Sequence, residues 1–277
     1  MPDRPRTRRP SPFFSLWTGL LFLLILACAP LACRNDEQIV SDDVALAENA
    51  LNRRDLDDAT MYFERYLRKN SDGPRRWLVW QRLLDISLNL RQDRTTARSY
   101  LEIMLQEFEE DHEKRRSLQL LLARVCRDTN DYERATVLWE ALIRDPRTPD
   151  SVKAGVCIDL SKAYLRRLEF IPATDTLSMC AQLDAGIALK ADCLYALGET
   201  QVLTENLEAA EATLNDAVSL PSIPEDRRVL AVFTLADVLE QQGRRAKAIE
   251  LFESIRSSYP NERVVELRIS RLKKKKN

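Results

Sequence analysis

Histidine occurs once in the 277 residues and glycine only six times. The single His112 lies between Glu109-Glu110-Asp111 and Glu113-Lys114 with no cysteine cluster beside it. It reads as a solvated loop residue, and no zinc ligand set is visible. There is no glycine-rich loop to cradle a phosphate and no nucleophile elbow. Acidic pairs such as Glu109-Glu110 are scattered, which suits a solvated surface better than acid–base work. No run alternates Val, Ile and Thr with polar residues, so no strand is expected. An excess of positive charge is also missing. The net charge is −1, and the first 27 residues hold four Arg and one Asp. The remainder therefore carries 38 basic and 42 acidic residues, a net of −4 and not a nucleic-acid profile. These absences leave no expected catalysis and no expected cofactor.

What is present is helical periodicity, with 45% hydrophobic residues. All seven prolines after residue 31 (Pro74, Pro146, Pro149, Pro172, Pro221, Pro224 and Pro260) fall at breaks in that periodicity or at a helix start. The clearest stretch is Val232 to Pro260. One helix places Leu235, Ala236 and Leu239 on a stripe, and a second places Ala248, Phe252 and Ile255 on another. Gly243 lies between them, at a position where a left-handed residue ends a helix at least cost.

The pattern recurs. Alanines at 59, 97, 135, 173, 210 and 248 are separated by 38, 38, 38, 37 and 38 residues. Such a period marks stacked repeats. On Leu235-Ala236, Gly243, Ala248, Phe252, Ile255 and Pro260, the stretch resembles a tetratricopeptide repeat, whose usual period is about 34 residues. The excess is about one helical turn, ascribed to longer first helices and loops. The resemblance implies an all-α fold, a right-handed α-α superhelix of six helix pairs over residues 41–260. A capping helix and basic tail follow over 261–277.

Within that frame the inward positions of the second helices are Ala59, Phe63 and Tyr66; Ala97, Leu101 and Met104; Ala135, Trp139 and Leu142; Ala173, Leu177 and Cys180; Ala210, Leu214 and Ala217; and Ala248, Phe252 and Ile255. The second repeat departs most, since Asp85 stands where a small residue is usual. In the capping helix Val264, Val265, Leu267, Ile269 and Leu272 are expected to point partly inward, and Glu262, Arg263, Arg268 and Arg271 outward. The run Lys273 to Lys276 reads as a solvated tail, with anionic lipid as the alternative ligand.

Residues 1–12 are basic and Phe13 to Ala27 almost wholly apolar, the arrangement of a secretory signal. Ile25-Leu26-Ala27-Cys28 resembles a bacterial lipoprotein box, which implies cleavage after residue 27 and lipidation of Cys28. Leu31-Ala32-Cys33 is similar, but Pro30 stands where the family has an aliphatic residue, so Cys33 is the alternative. An uncleaved anchor also fits, since Phe13 to Ala32 is long enough to span. Residues 28–40 are expected to be a tether. The chain is then similar to tetratricopeptide lipoproteins of the bacterial envelope. It is expected to be held to a membrane by its N-terminal lipid and to face the periplasm, with the outer membrane favoured over the inner.

An exported chain meets an oxidising compartment. Cys157 and Cys180 fall at ends that antiparallel helices bring together, so they could bridge, with Cys193 competing for Cys180. The alternative is that Cys126, Cys157, Cys180 and Cys193 are all small buried residues. In the family the first helices line the concave face. There Leu120, Ile158, Tyr195 and Phe233 would form a ladder, one per repeat. Arg82, Arg124, Arg127, Lys162 and Arg166 flank its early part, and Glu199, Asp237 and Glu240 its late part. Leu120, Arg124, Ile158, Lys162, Tyr195 and Phe233 are the candidate binding residues for a protein or peptide partner. Burial of the ladder between repeats is the competing reading. The functional expectation is a membrane-anchored scaffold. The alternatives are a component like the helical lipoprotein of the outer-membrane β-barrel assembly machine, or a ligand-binding envelope receptor.

Overall fold

The computed structural model describes residues 34–274. The leader and both candidate lipidation sites, Cys28 and Cys33, lie outside the described residues. So does the end of the lysine run, Lys275 and Lys276. Among the described residues all regular structure is helical, and none of these helices is long and apolar enough to cross a membrane.

The chain divides into two compact units between Asp93 and Arg94. The first unit contains α1 (Arg34–Asn52), α2 (Leu56–Lys69) and α3 (Arg76–Asp85), with α3 running into a π-helical turn, Ile86–Leu90. The stretch expected as tether is therefore helical from Arg34 onward. Asp43, nearly buried on α1, takes hydrogen bonds from Arg65 at 2.5 and 3.0 Å and from Lys69 at 3.4 Å, which ties α1 to α2. Burial raises the Asp43 pKa, but the two cations outweigh it and hold the carboxyl below its usual value.

The π turn explains the irregular second repeat. One residue is added to the helix, so its face rotates. Asp85 turns out to solvent, while Ile86 and Ser87 turn in. The Ser87 hydroxyl donates back to the Leu83 and Leu84 carbonyls at 2.9 and 3.1 Å.

The second unit contains α4 (Arg94–Glu107), α5 (His112–Asp128), α6 (Tyr132–Arg144), α7 (Asp150–Arg166), α8 (Phe170–Gln182), α9 (Ile187–Leu203), α10 (Leu207–Val218), α11 (Glu225–Gln241), α12 (Arg245–Ser254) and α13 (Glu262–Lys274). From α5 onward these form antiparallel pairs, α5–α6, α7–α8, α9–α10 and α11–α12, each stacked on the next, and α13 closes the row. In both units the six periodic alanines are wholly buried, each 0% exposed. The residues four and seven positions after each alanine are buried as well. At Gly198 the helices approach so closely that a Cβ would lie 2.7 Å from Leu214.

The turn inside each pair also repeats. Five residues before each alanine the backbone is left-handed: Arg54 (φ 61°), Gln92 (55°), Asn130 (62°), Leu168 (62°), Glu205 (58°) and Gly243 (80°). The next amide closes a six-residue loop to the preceding helix. Examples are Asp131 to Cys126 O at 2.8 Å, Glu169 to Tyr164 O at 2.9 Å and Arg244 to Leu239 O at 2.8 Å. After the π turn the loop is one residue longer, Asp93 to Ser87 O at 2.7 Å. Asp55, Asp131 and Asn206 then cap the second helices with their side chains.

Only the last of the six left-handed residues is glycine, and that has a cost. Leu168 is 72% exposed, so its side chain gains little from packing there. Leu168→Gly is expected to stabilise the protein by roughly 0.5–1 kcal/mol, the left-handed penalty less the added freedom of the unfolded chain. A rise in the urea midpoint at unchanged slope is the expected reading.

In α13, Val265, Ile269 and Leu272 are buried, as expected. Val264 and Leu267 are not: both face solvent. Conversely Arg268 and Arg271, expected to face out, reach back to Asp237 and Glu240 on α11.

Candidate functional site

The first helices of successive pairs in the second unit, α5, α7, α9 and α11, carry the predicted ladder. Leu120, Ile158, Tyr195 and Phe233 are all half-buried there, neither free rungs nor full core. Ile158 rests on a cluster formed by Ala154, Cys157, Cys180 and Cys193. Tyr195 packs beside Leu194, Leu214 and Leu235, and its hydroxyl donates to Glu199 Oε1 at 2.7 Å. Burial and the Glu199 carboxylate both push the Tyr195 phenol above its usual pKa. Phe233 is the most committed. Its ring stands edge-on to Phe252, with centroids 5.3 Å apart, and stacks on Tyr259 at 4.6 Å.

The flanking charges are largely paired across adjacent first helices. In the first unit Arg82 meets Glu48 at 2.9 Å. In the second, Arg127 meets Asp159 at 3.3 Å, Arg227 meets Asp192 at 3.2 Å, and Arg268 holds Asp237 and Glu240. Asp237 is nonetheless raised above its ordinary pKa, because burial outweighs its arginine. Arg82, Arg127, Asp237 and Glu240 are thus each neutralised by a neighbour outside the opposite end. The exceptions among the described residues are Lys162 and Arg166, exposed and without an ion pair, Glu199, which holds only the Tyr195 hydroxyl, and Arg124, whose side chain is 57% exposed and 4.0 Å from Asp159. What remains open is a short surface on α5 and α7. Leu120 and Ile158 form its apolar part, and Arg124 and Lys162 supply its charge.

The cysteines correct one expectation. Cys180 is bridged to Cys193, with Cα atoms 5.6 Å apart, and Cys126 and Cys157 are free and buried. Cys180 pairs with Cys193 and not with Cys157, although the three share one buried cluster. Cys180 Sγ lies 3.3 Å from the Ala154 carbonyl oxygen, about one helical turn before Cys157 on α7. The short α8–α9 connection brings Cys193 opposite instead. Burial pushes the Cys157 thiol up to about 11.

His112 is exposed and lies against Arg147, with Nη1 3.1 Å from Nδ1. Among the described residues no group of three or more His, Cys, Asp or Glu is placed to hold a metal.

A model of the tetratricopeptide repeat matches residues 230–262. The fold is that of the tetratricopeptide repeat. A tetratricopeptide repeat protein from Parabacteroides merdae ATCC 43184 superposes with a TM-score of 0.53 at 14% identity, over 86% of this chain and 87% of that one. The nearly identical TPR-like repeats of a Podosopora anserina putative kinesin light chain give 0.52 at 18%, over 67% and 96%. PilW, a widely conserved type IV pilus biogenesis factor, gives 0.50 at 16%, over 83% and 98%. No curated protein matches the sequence. In tetratricopeptide-repeat architecture each pair is a packing unit, and what is left to act is surface. The left-handed turns and cross-helix ion pairs of this repeat fold escaped the sequence reading. The pairs lie 31 to 35 residues apart, so a search a few residues short of the 38-residue period finds them.

Proposed function

We propose that the protein is a membrane-anchored, extracytoplasmic scaffold that binds a protein or peptide partner on its first-helix face. The repeat fold supports interaction rather than catalysis. One observation carries the choice of face: Arg124 and Lys162 remain open beside half-buried Leu120 and Ile158, while Arg127, Asp159, Asp192 and Arg227 are paired. An acidic, extended or helical segment fits such a strip. The anchor rests on the basic-apolar leader and on Cys28, with Cys33 as its alternative, and the bacterial envelope is the compartment it implies.

The variants for the test follow from the geometry. Tyr195 and Phe233 pack into the core, so replacing them would confuse binding with folding. Arg124→Glu with Lys162→Glu leaves the core untouched. A photo-crosslinker at Leu120 of the full chain is expected to trap a discrete partner in envelope preparations. The double charge reversal should cut that yield at least tenfold at unchanged helicity. Equal crosslinking with and without the reversal, or from a crosslinker placed instead at Val137 on α6, would sink the assignment of the face. Recovery of the unlipidated chain in a soluble fraction would sink the anchor.

A further inference from the structure

The end of the second unit carries a surface that the scaffold reading leaves unused. α13 buries Val265, Ile269 and Leu272 against α11 and α12. Its opposite stripe is Val264, Leu267, Arg271 and Lys274, spaced i, i+3, i+7 and i+10. A terminal repeat needs a polar outer face, yet Leu267 is 62% exposed and Val264 36%. Two open concavities flank the C-terminal half of this helix. One of about 470 Å³ is lined by Leu267, Ser270, Arg271 and Lys274. The other, of about 430 Å³, has Ala246, Ile249 and Leu272 as its floor and Arg245 and Lys273 on its rim.

Charge is segregated here. The last fifteen residues hold seven basic side chains and one acidic, a net of +6 in a chain whose total is −1. Arg271 and Lys273 reach Glu240 and Glu253, but both remain more than half exposed. The acidic Glu262 and Glu266 lie at the other end of the helix and are taken by Arg256.

We propose that this outward face of α13 docks on an anionic phospholipid surface. Lysine and arginine at the C-terminal half supply headgroup contacts, and Val264 and Leu267 enter the interfacial layer. A helix of thirteen residues is only about 20 Å long. Its outer stripe falls far short of the roughly 800 Å² per partner that a stable protein interface buries, which disfavours a second copy or an acidic protein as occupant. Lipid attraction has no such threshold, since each cation near an anionic surface adds separately. The contact is independent of the N-terminal leader and would hold this end of the chain to the bilayer.

The test uses the full chain carrying Leu267→Trp, reconstituted into vesicles with and without brominated lipid and compared with the parent chain. Substitution at this exposed site leaves the core intact. The parent chain supplies the baseline of the other tryptophans, and co-sedimentation with vesicles reports the N-terminal anchor separately. Quenching of the added tryptophan is expected in phosphatidylcholine–phosphatidylglycerol vesicles but not in phosphatidylcholine alone, and is expected to vanish at high salt. Replacing Lys273, Lys274, Lys275 and Lys276 with Gln should weaken the contact roughly fivefold per lysine. Three results overturn the proposal: a solvent-exposed tryptophan at 267 in anionic vesicles that carry the anchored chain; equal quenching in neutral and anionic vesicles; or shielding without lipid that grows with protein concentration, which assigns the face to a second copy.

Discussion

Phe252→Ala is expected to cost about 3–5 kcal/mol and to release α13 before the rest of the second unit. Phe252 is wholly buried among Ala236, Leu239, Ala248, Val265, Ile269 and Leu272. It is therefore the side chain shared by the last helix pair and the capping helix. Removing the ring leaves a cavity on three helices, and it also takes away the edge-on partner of Phe233. In a row of repeats each pair contacts only its neighbours, so the loss should stay local. Amide exchange across Glu225 to Lys274 is expected to rise sharply, with α4 to α8 still protected. Equal loss of protection throughout α4 to α13 would show instead that the unit unfolds as one body. The same substitution at Trp139, the equivalent position of the third repeat, tests the converse, because its neighbours lie on both sides. There the loss is expected to spread in both directions.

Why Phe252 could be found without coordinates, while other features could not, follows from what each depends on. The alanine period demands only that a small residue recur where two helices touch, and side-chain size is written in the sequence. Positions four and seven residues on inherit their burial from helix geometry alone. The turns are different. There the hydrogen bond that closes the helix end sets the left-handed conformation whatever the side chain, so Arg54, Gln92, Leu168 and Glu205 carry no signal and only Asn130 and Gly243 do. The π turn is likewise invisible, except through its symptom, Asp85 at a small-residue position. The binding ladder was half legible. Its residues share a face, but how deep each sits depends on aromatic neighbours in the next helices, as Phe233 shows against Phe252 and Tyr259. Its flanking charges looked like two opposed ends because each was read within its own helix. Their partners stand one repeat away.

Loss of the Cys180–Cys193 bridge is expected to cost about 3 kcal/mol, the effect of releasing a loop of this size in the unfolded chain. The two cysteines are 13 residues apart and join α8 to α9, so the bridge fastens one repeat to the next. A serine in place of Cys193 should lower the denaturant midpoint of the oxidised protein to that of the wild type held in reductant. Thiol mapping of the unreduced, denatured chain should return Cys126 and Cys157 as free. Cys157 shares a cluster with both bridged sulfurs, so exchange to a Cys157–Cys180 pairing is sterically near. Protonation state keeps it from happening. A thiol whose pKa is raised to about 11 is protonated at neutral pH, and only the thiolate attacks a disulfide. Scrambling should therefore be absent at neutral pH and appear as pH approaches that value, or sooner in denaturant, where burial no longer holds the thiol protonated. A Cys157–Cys180 peptide recovered from folded protein at neutral pH would refute the Cys180–Cys193 pairing.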